Sequence, residues 1–346
     1  MRKLCGIVGC CLLQVLFPSP QGLCAGLTYT NPIGGTIRMG DPFILLDQQQ
    51  YYLYGTTAAD GFLCWSSPDL LHWESHGYAY LRTSESWAHG MFWAPEVTRY
   101  QGKYYMVYSA SGKERGSFRL CIAVSDKPQG PFVDLHAPWV DSDESCIDAD
   151  LFFNDDGTPY LFFDKVGTIP GPKTTIYGNI YGVQLSADLS SAIGTPILCV
   201  KPDQPWEEPD PKFNSSCNEG AYVFKHNNTY YLTYSAGHYA SQKYAIGYAT
   251  ATSPLGPWKK HTQPLLSSDL KLGVSGPGHS CLVPSPDGKE LYIVYHAHAD
   301  PKNPSSNRTV NIDRLKFTRK GQLVLHGPTR TPQPLPSAVK TVEKNK

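Results

Sequence analysis

The sequence predicts an all-β fold, a five-bladed β-propeller forming a single domain. Three observations lead there. Tyr, Phe and Trp make up 12% of the 346 residues, and Gly and Pro number 31 and 29. Aromatic strands punctuated by Gly and Pro turns are a β signature, and no stretch keeps a helical period. One motif also recurs five times: a short apolar strand, a polar turn, then a strand rich in Tyr.

The first copy is Pro42-Phe43-Ile44-Leu45-Leu46, a turn over residues 47–50, then Tyr51-Tyr52-Leu53-Tyr54. In the second, Glu96 to Tyr100 leads through Gln101-Gly102-Lys103 into Tyr104-Tyr105-Met106-Val107-Tyr108. The third runs from Ala149 to Phe153, turns at Asn154-Asp155-Asp156-Gly157, and returns as Tyr160-Leu161-Phe162-Phe163. Ala221 to Phe224 and Tyr230 to Tyr234 make the fourth, around His226-Asn227-Asn228. Ser280 to Val283 and Leu291 to Tyr295 make the fifth, around Pro286-Asp287-Gly288. Tyr52, Tyr105, Tyr160, Tyr231 and Tyr292 are thus spaced by 53, 55, 71 and 61 residues. Asn, Asp and Gly suit hairpin turns because they tolerate positive φ. More strand-like sequence follows each hairpin, as at Leu120 to Val124, Ile180 to Gln184 and Ala245 to Ala249. Repeated units of about four short strands are the pattern of a propeller, whose radial repetition leaves few open sheet edges.

Residues 1–25 read as a signal peptide. Arg2 and Lys3 precede an apolar run from Leu4 to Phe17, Pro18 and Pro20 break it, and small residues near Ala25 offer a cleavage site. The run is too short to span a membrane, and no other segment resembles a transmembrane helix. The chain is therefore expected to be secreted or periplasmic; Cys10 also admits a lipoprotein reading. The propeller is placed at residues 26–335 and a polar C-terminal tail at 336–346. Without residues 1–25 the chain carries 28 basic and 30 acidic side chains, a net charge of −2. Nothing there attracts a phosphate backbone, so nucleic acid is excluded as a partner. A monomer is expected. Cys64, Cys121, Cys146, Cys199, Cys217 and Cys281 remain, with no Cys-x-x-Cys spacing for zinc. They permit one to three disulfides or serve as buried small side chains. Asn214, Asn227 and Asn307 stand in Asn-x-Ser/Thr motifs.

A polar residue precedes the first strand of every copy. Counted back from the aligned Tyr, these are Asp41 at 11 residues, Glu96 at 9, Asp148 at 12, Glu219 at 12 and His279 at 13. Acidic residues commonly precede strands because they suit turns, but recurrence at nearly one offset asks for more. In a propeller the first strand of each blade lines the central channel, so these five side chains are expected to converge. Carboxyls crowded in a partly dry funnel repel one another, which raises some pKa values while a nearby cation lowers others. Arg308 and Arg314 are candidate cations, and alternation in the closing strand favours Arg314. Trp93, beside Pro95 and Glu96, could stack on a sugar ring. The substrate-binding candidates are thus Trp93, Glu96 and Arg314.

The stretches Gly40-Asp41-Pro42-Phe43, Phe92-Trp93-Ala94-Pro95-Glu96-Val97, Ile147-Asp148-Ala149-Asp150, Asn218-Glu219-Gly220 and Gly278-His279-Ser280 resemble glycoside hydrolase family 43. This is the inverting arabinanase, α-L-arabinofuranosidase and β-xylosidase group with a five-bladed propeller. The resemblance implies that Asp41 is the general base, Glu219 the general acid, and Asp148 the residue that raises the pKa of Glu219 and holds it in place. It also implies that His279 is the axial histidine beside a structural Ca2+ with bound waters, and that the partner is a plant poly- or oligosaccharide. For inversion the base and acid carboxyls should stand roughly 6.5–9.5 Å apart. Ala149 and Ala221 replace prolines common in the family, and no second β-sandwich domain is evident, which favours arabinose removal over xylose removal. Two alternatives differ in class. A retaining invertase-type enzyme is disfavoured by Gly40 before Asp41 and by the lack of an Arg-Asp-Pro run. A non-catalytic glycan-binding propeller is disfavoured by the three intact carboxylates.

Overall fold

A computed structural model describes residues 28–113, 118–140 and 144–339. The expected signal peptide, and the tail beyond residue 339, lie outside the described residues. The chain is all-β; the helical structure among the described residues is one 3-10 turn at Pro205–Glu207. A short strand, β1 (Thr28–Tyr29), opens it. The first unit holds β2 (Gly40–Asp47), β3 (Gln50–Thr56), β4 (Gly61–Ser67) and β5 (Glu74–Leu81). The second holds β6 (Gly90–Tyr100), β7 (Lys103–Ser111), β8 (Phe118–Ser125) and β9 (Val133–Trp139). In the third are β10 (Ser145–Phe153), β11 (Pro159–Ile169), β12 (Thr175–Leu185) and β13 (Ala192–Val200). The fourth comprises β14 (Ser215–His226), β15 (Thr229–Ala236), β16 (Ala245–Ala251) and β17 (Lys259–Lys260). The fifth comprises β18 (Gly278–Pro284), β19 (Leu291–His298), β20 (Arg308–Phe317) and β21 (Leu323–His326). Finally β22 (Gln333–Pro334) pairs antiparallel with β1 and ties the two ends of the described chain together.

Each unit is an antiparallel meander. The first, second and fifth stand as separate four-stranded sheets. The third and fourth share one eight-stranded sheet because β12 runs parallel to β14 over Ile176–Gly178. The hairpins between first and second strands turn where the polar residues lie, with positive φ at Gln48, Gln49, Gln101 and Asn227.

The first strands pack in sequence, β2 on β6, β6 on β10, β10 on β14, β14 on β18, and β18 returns to β2. Apolar clusters fill the spaces between successive units. One joins the first and second units through Tyr54, Phe62, Phe92 and Tyr108. Another joins the fifth back to the first through Tyr292, Val294, Tyr51 and Leu53. The Tyr-rich second strands suit this place: the ring is buried between units while the hydroxyl reaches a polar partner. Tyr108 donates to Asp134 Oδ1 at 2.6 Å, Tyr51 to the Pro284 carbonyl at 2.7 Å and Tyr295 to Asp313 Oδ2 at 2.6 Å.

No disulfide involves Cys64, Cys121, Cys199, Cys217 or Cys281; all but Cys199 of these are buried. They act as small core side chains, and burial pushes the Cys64 thiol up to about 12. The first residues after 335 are tied down, since Ser337 N–H donates to Glu290 Oε2 at 2.7 Å. Among the described residues no helix is long and apolar enough to cross a membrane.

Candidate active site

Every first strand carries a bulge near its start. The register shifts fall after Gly40, Trp93, Ile147, Glu219 and Gly278. The residue that follows each shift has positive φ: Asp41 at 51°, Ala94 at 46°, Asp148 at 55°, Gly220 at 62° and His279 at 48°. A bulge leaves an amide out of the ladder. Here a side chain on the second strand of the preceding unit accepts it each time. Asp41 N–H donates to His296 Nδ1 at 3.2 Å, Ala94 N–H to Thr56 Oγ1 at 2.9 Å and Asp148 N–H to Ser109 Oγ at 2.9 Å. Gly220 N–H donates to Asp164 Oδ2 at 2.9 Å and His279 N–H to Ser235 Oγ at 2.7 Å. The clamps run once around the molecule, and they hold strained backbone at the place where the side chains meet.

These bulges turn Asp41, Asp148 and His279 into one cavity of about 410 Å³, which Glu219, Trp93, Tyr244 and Arg308 also line. Four of the five residues singled out by their offset therefore meet, and Glu96 does not. The bulge residue of the second unit is Ala94. Glu96, two positions further on, faces another cavity of about 430 Å³ together with Asp150, which stands two positions after Asp148. Arg314 also lies elsewhere: it bonds Glu290 Oε1 at 2.8 Å and the Pro334 carbonyl at 2.8 Å. It is six residues along β20 from Arg308, about 20 Å of strand, which carries it toward the opposite end of the unit.

Among the described residues, Arg308 is the cation that lines this cavity. Its Nη1 lies 2.9 Å from Asp41 Oδ1, while Thr56 Oγ1 donates to Asp41 Oδ2 at 2.6 Å. Gly40 makes room for this approach, since a Cβ there would stand 1.9 Å from Arg308 Nη2. Burial alone would raise the pKa of Asp41. Arg308, His279, His296 and the Thr56 hydroxyl outweigh it and hold the carboxyl well below the usual range. Asp41 is thus ionised.

Glu219 is pushed the other way. Burial pushes its pKa up to about 7, and Asp41 adds to the rise against the pull of Tyr244 and Arg308. Tyr244 OH donates to Glu219 Oε1 at 2.7 Å, which leaves Oε2 to carry the transferable proton. The Tyr244 ring stacks against His296 at 5.8 Å. Asp148 is raised well above the usual range by burial, then by Glu219 and Asp41.

Behind Glu219, Lys260 Nζ bonds Glu207 Oε2 at 2.6 Å and Asn218 Oδ1 at 2.9 Å in a buried network that fixes the residue before the acid. Trp93 lines the cavity with its ring stacked on Phe118 at 4.4 Å, so its orientation is set. His279 Nδ1 stands 3.5 Å from Asp41 Oδ1 and 3.8 Å from Asp148 Oδ2. Among the described residues no group of three or more His, Cys, Asp or Glu side chains is arranged to ligate a metal.

Sequence reasoning missed Thr56, Asp164, Tyr244 and His296. Thr56, Tyr244 and His296 carry no local signal, because they contribute through partners far away in the chain. Asp164 leaves a trace: it is an acid ending the aromatic run Tyr160 to Phe163.

With this geometry in place, the comparisons with known proteins agree among themselves. The family model described as "Glycosyl hydrolases family 43" matches residues 29–323. A β-D-galactofuranosidase, xynD, of Aspergillus niger is 29% identical over 90% of this chain and 91% of its own length. An extracellular exo-α-(1→5)-L-arabinofuranosidase of Streptomyces chartreusis is 28% identical over 78% of this chain and 82% of its own. The crystal structure of a thermostable family-43 glycoside hydrolase is similar with a TM-score of 0.84 and 45% identity, covering 89% of this chain and 99% of that one.

Proposed function

From the premise that this chain belongs to glycosyl hydrolases family 43 and is a glycosidase, we propose that it is an inverting α-L-arabinofuranosidase acting on plant poly- or oligosaccharides. Asp41, ionised beside Arg308, takes a proton from water, and the water attacks the anomeric carbon. Glu219 gives its Oε2 proton to the departing glycosidic oxygen on the opposite face. Asp148 holds the charge environment of Glu219. Trp93 offers a ring face to the sugar.

The observation that carries the proposal is the pairing, in one cavity, of a carboxyl kept ionised by a guanidinium with one whose pKa burial pushes up to about 7. A cavity of about 410 Å³ has room for one sugar ring and the start of its leaving group. The five clamped units around one axis support reading the fold as a five-bladed propeller. Secretion belongs to the proposal as well, with an extracellular relative in its favour.

A second reading is favoured by the Aspergillus niger relative: a β-D-galactofuranosidase. A β-D-galactofuranoside presents the ring stereochemistry of an α-L-arabinofuranoside with a longer exocyclic arm, so one site could take either. Turnover of 4-nitrophenyl α-L-arabinofuranoside, β-D-galactofuranoside and β-D-xyloside decides between them. The proposal expects the highest kcat/KM on the arabinofuranoside; a clear preference for either of the others replaces it.

A further inference from the structure

We propose that Lys260, Glu207 and Asn218 are positioning residues of the reaction: their buried network grips β14 beside Glu219 and so aims the acid at the departing oxygen. The inference rests on reading Glu219 as the acid.

Side chains alternate along a strand. Cys217 and Glu219 line the active cavity, and Asn218 between them faces the other way, with no exposure to solvent. Asn218 Oδ1 accepts from Lys260 Nζ at 2.9 Å, and its Nδ2 donates to Glu207 Oε1 at 3.3 Å and to the Cys217 carbonyl at 3.1 Å. Lys260 comes from β17, the far strand of the fourth unit, and Glu207 from the 3-10 turn ahead of β14. The two bond each other at 2.6 Å, with side chains only 6% and 1% exposed. Lys260 also reaches the Lys201 carbonyl at 2.7 Å and Asp203 Oδ1 at 3.2 Å. Glu207 accepts the amides of Asp203 and Gln204, both at 2.9 Å, and the Tyr234 hydroxyl at 2.8 Å. The loop over residues 201–207, β14, β15 and β17 thus meet at one ammonium and one carboxylate.

Two observations tie this network to the acid. The first is its place. Gly40, Ile147 and Gly278 stand before Asp41, Asp148 and His279, and none of them has a side-chain hydrogen-bonding group. Of these four cavity residues, Glu219 is the one preceded by a side chain that can be held. Asp41 is fixed at its own carboxyl by Arg308 and Thr56. Glu219 is fixed there by Tyr244 at Oε1 and must keep Oε2 for the leaving group, so its aim depends on the backbone. Beyond it the Gly220 amide is clamped to Asp164, and the acid is gripped at both neighbours. The second observation is energetic. A buried ion pair carries a desolvation cost that packed apolar side chains avoid, so what the pair adds here is fixed geometry. A proton donor must stand within hydrogen-bond reach of its target, and small misplacements lower the rate steeply.

The test uses Asn218→Ala, which cuts the tie to β14 while the buried ions stay paired, and Lys260→Met, which removes the cation. The readout is kcat/KM on phenyl and 2,4-dinitrophenyl furanosides, with melting temperature as a folding control. The dinitrophenyl group departs without a proton. A general loss of folded protein therefore lowers both rates alike, whereas a misplaced acid lowers only the first. The expected result is a fall of about 10- to 100-fold on the phenyl furanoside and of less than about 3-fold on the dinitrophenyl one. Equal falls on the two substrates, or none on either, overturn the proposal. Either variant decides alone if the other does not fold.

Glu219→Gln, measured beside them, separates the two readings. If it shows no such dependence on the leaving group, the acid reading fails and takes the proposal with it. If it does while the folded Asn218→Ala does not, the positioning role alone fails.

Discussion

Arg308 Nη1 stands 2.9 Å from Asp41 Oδ1, so a guanidinium from the fifth unit neutralises the carboxylate offered by the first. The pair is almost fully enclosed, and Arg308 is the main influence that holds Asp41 ionised against burial. Replacing Arg308 with Met removes the cation and keeps bulk. The acid limb of kcat/KM should move to higher pH, as Asp41 regains a proton through the ordinary carboxylate range. The rate at the optimum should fall by about 100-fold or more, the scale of a lost acid or base partner. A pH–rate profile of the variant checks both.

The two proposed catalytic carboxyls should respond differently to leaving-group chemistry. Asp41→Asn loses the base and should be slow on every substrate, by about 10³-fold. Glu219→Gln should be equally slow on natural glycosides but recover much of its rate with a dinitrophenyl leaving group, which departs without a proton. Steady-state kinetics with aryl glycosides of graded leaving-group pKa read the difference directly.

The cavity that Glu96 shares with Asp150 predicts an effect on stability. Burial, then the neighbouring Asp150, raises Glu96, and burial pushes Asp150 up to about 7. Both groups hold protons in the folded chain that the unfolded chain has released above about pH 4–5. Stability should therefore fall as pH rises from about 4 to about 7, each pK unit being worth about 1.4 kcal/mol per group. Asp41 acts in the reverse sense, with stability lost only as pH drops below the ordinary carboxylate range. Glu96→Gln should raise the melting temperature at pH 7.5 and flatten its decline between pH 5 and 7.5, with little change in kcat. Thermal melts across pH test this.

Ser109 illustrates the clamps. Its hydroxyl accepts the Asp148 amide at 2.9 Å in a fully buried setting. Ser109→Ala leaves that N–H unmet and should cost about 1–3 kcal/mol. Activity should fall with stability, because Asp148 is no longer held. Ser109→Thr should restore both, as Thr56 does the same work for Ala94.

Much of this was legible in the chain itself. The hairpins follow from Tyr-rich strands and turn residues, which are local signals. Asp41, Asp148, Glu219 and His279 could be found because each sits just ahead of a recognisable strand. The counting failed in the second unit, where Ala94 takes the bulge and Glu96 is turned to the cavity it shares with Asp150. An offset of 9 residues where the others were 11 to 13 was the sign. Arg314 was preferred over Arg308 on strand alternation, which says which face a side chain takes but not how far along the axis it lies. Tyr244, Thr56 and Asp164 matter through contacts that only the folded ring creates.

The central claim is that Asp41 and Glu219 act together on one linkage, water entering on one side as the leaving group departs on the other. The most direct measurement is ¹H NMR of the first product released from an α-L-arabinofuranoside, recorded before mutarotation. The account predicts β-L-arabinofuranose as the first sugar to appear. Release of the α anomer would contradict it, because Asp41 would then be attacking the sugar rather than activating water.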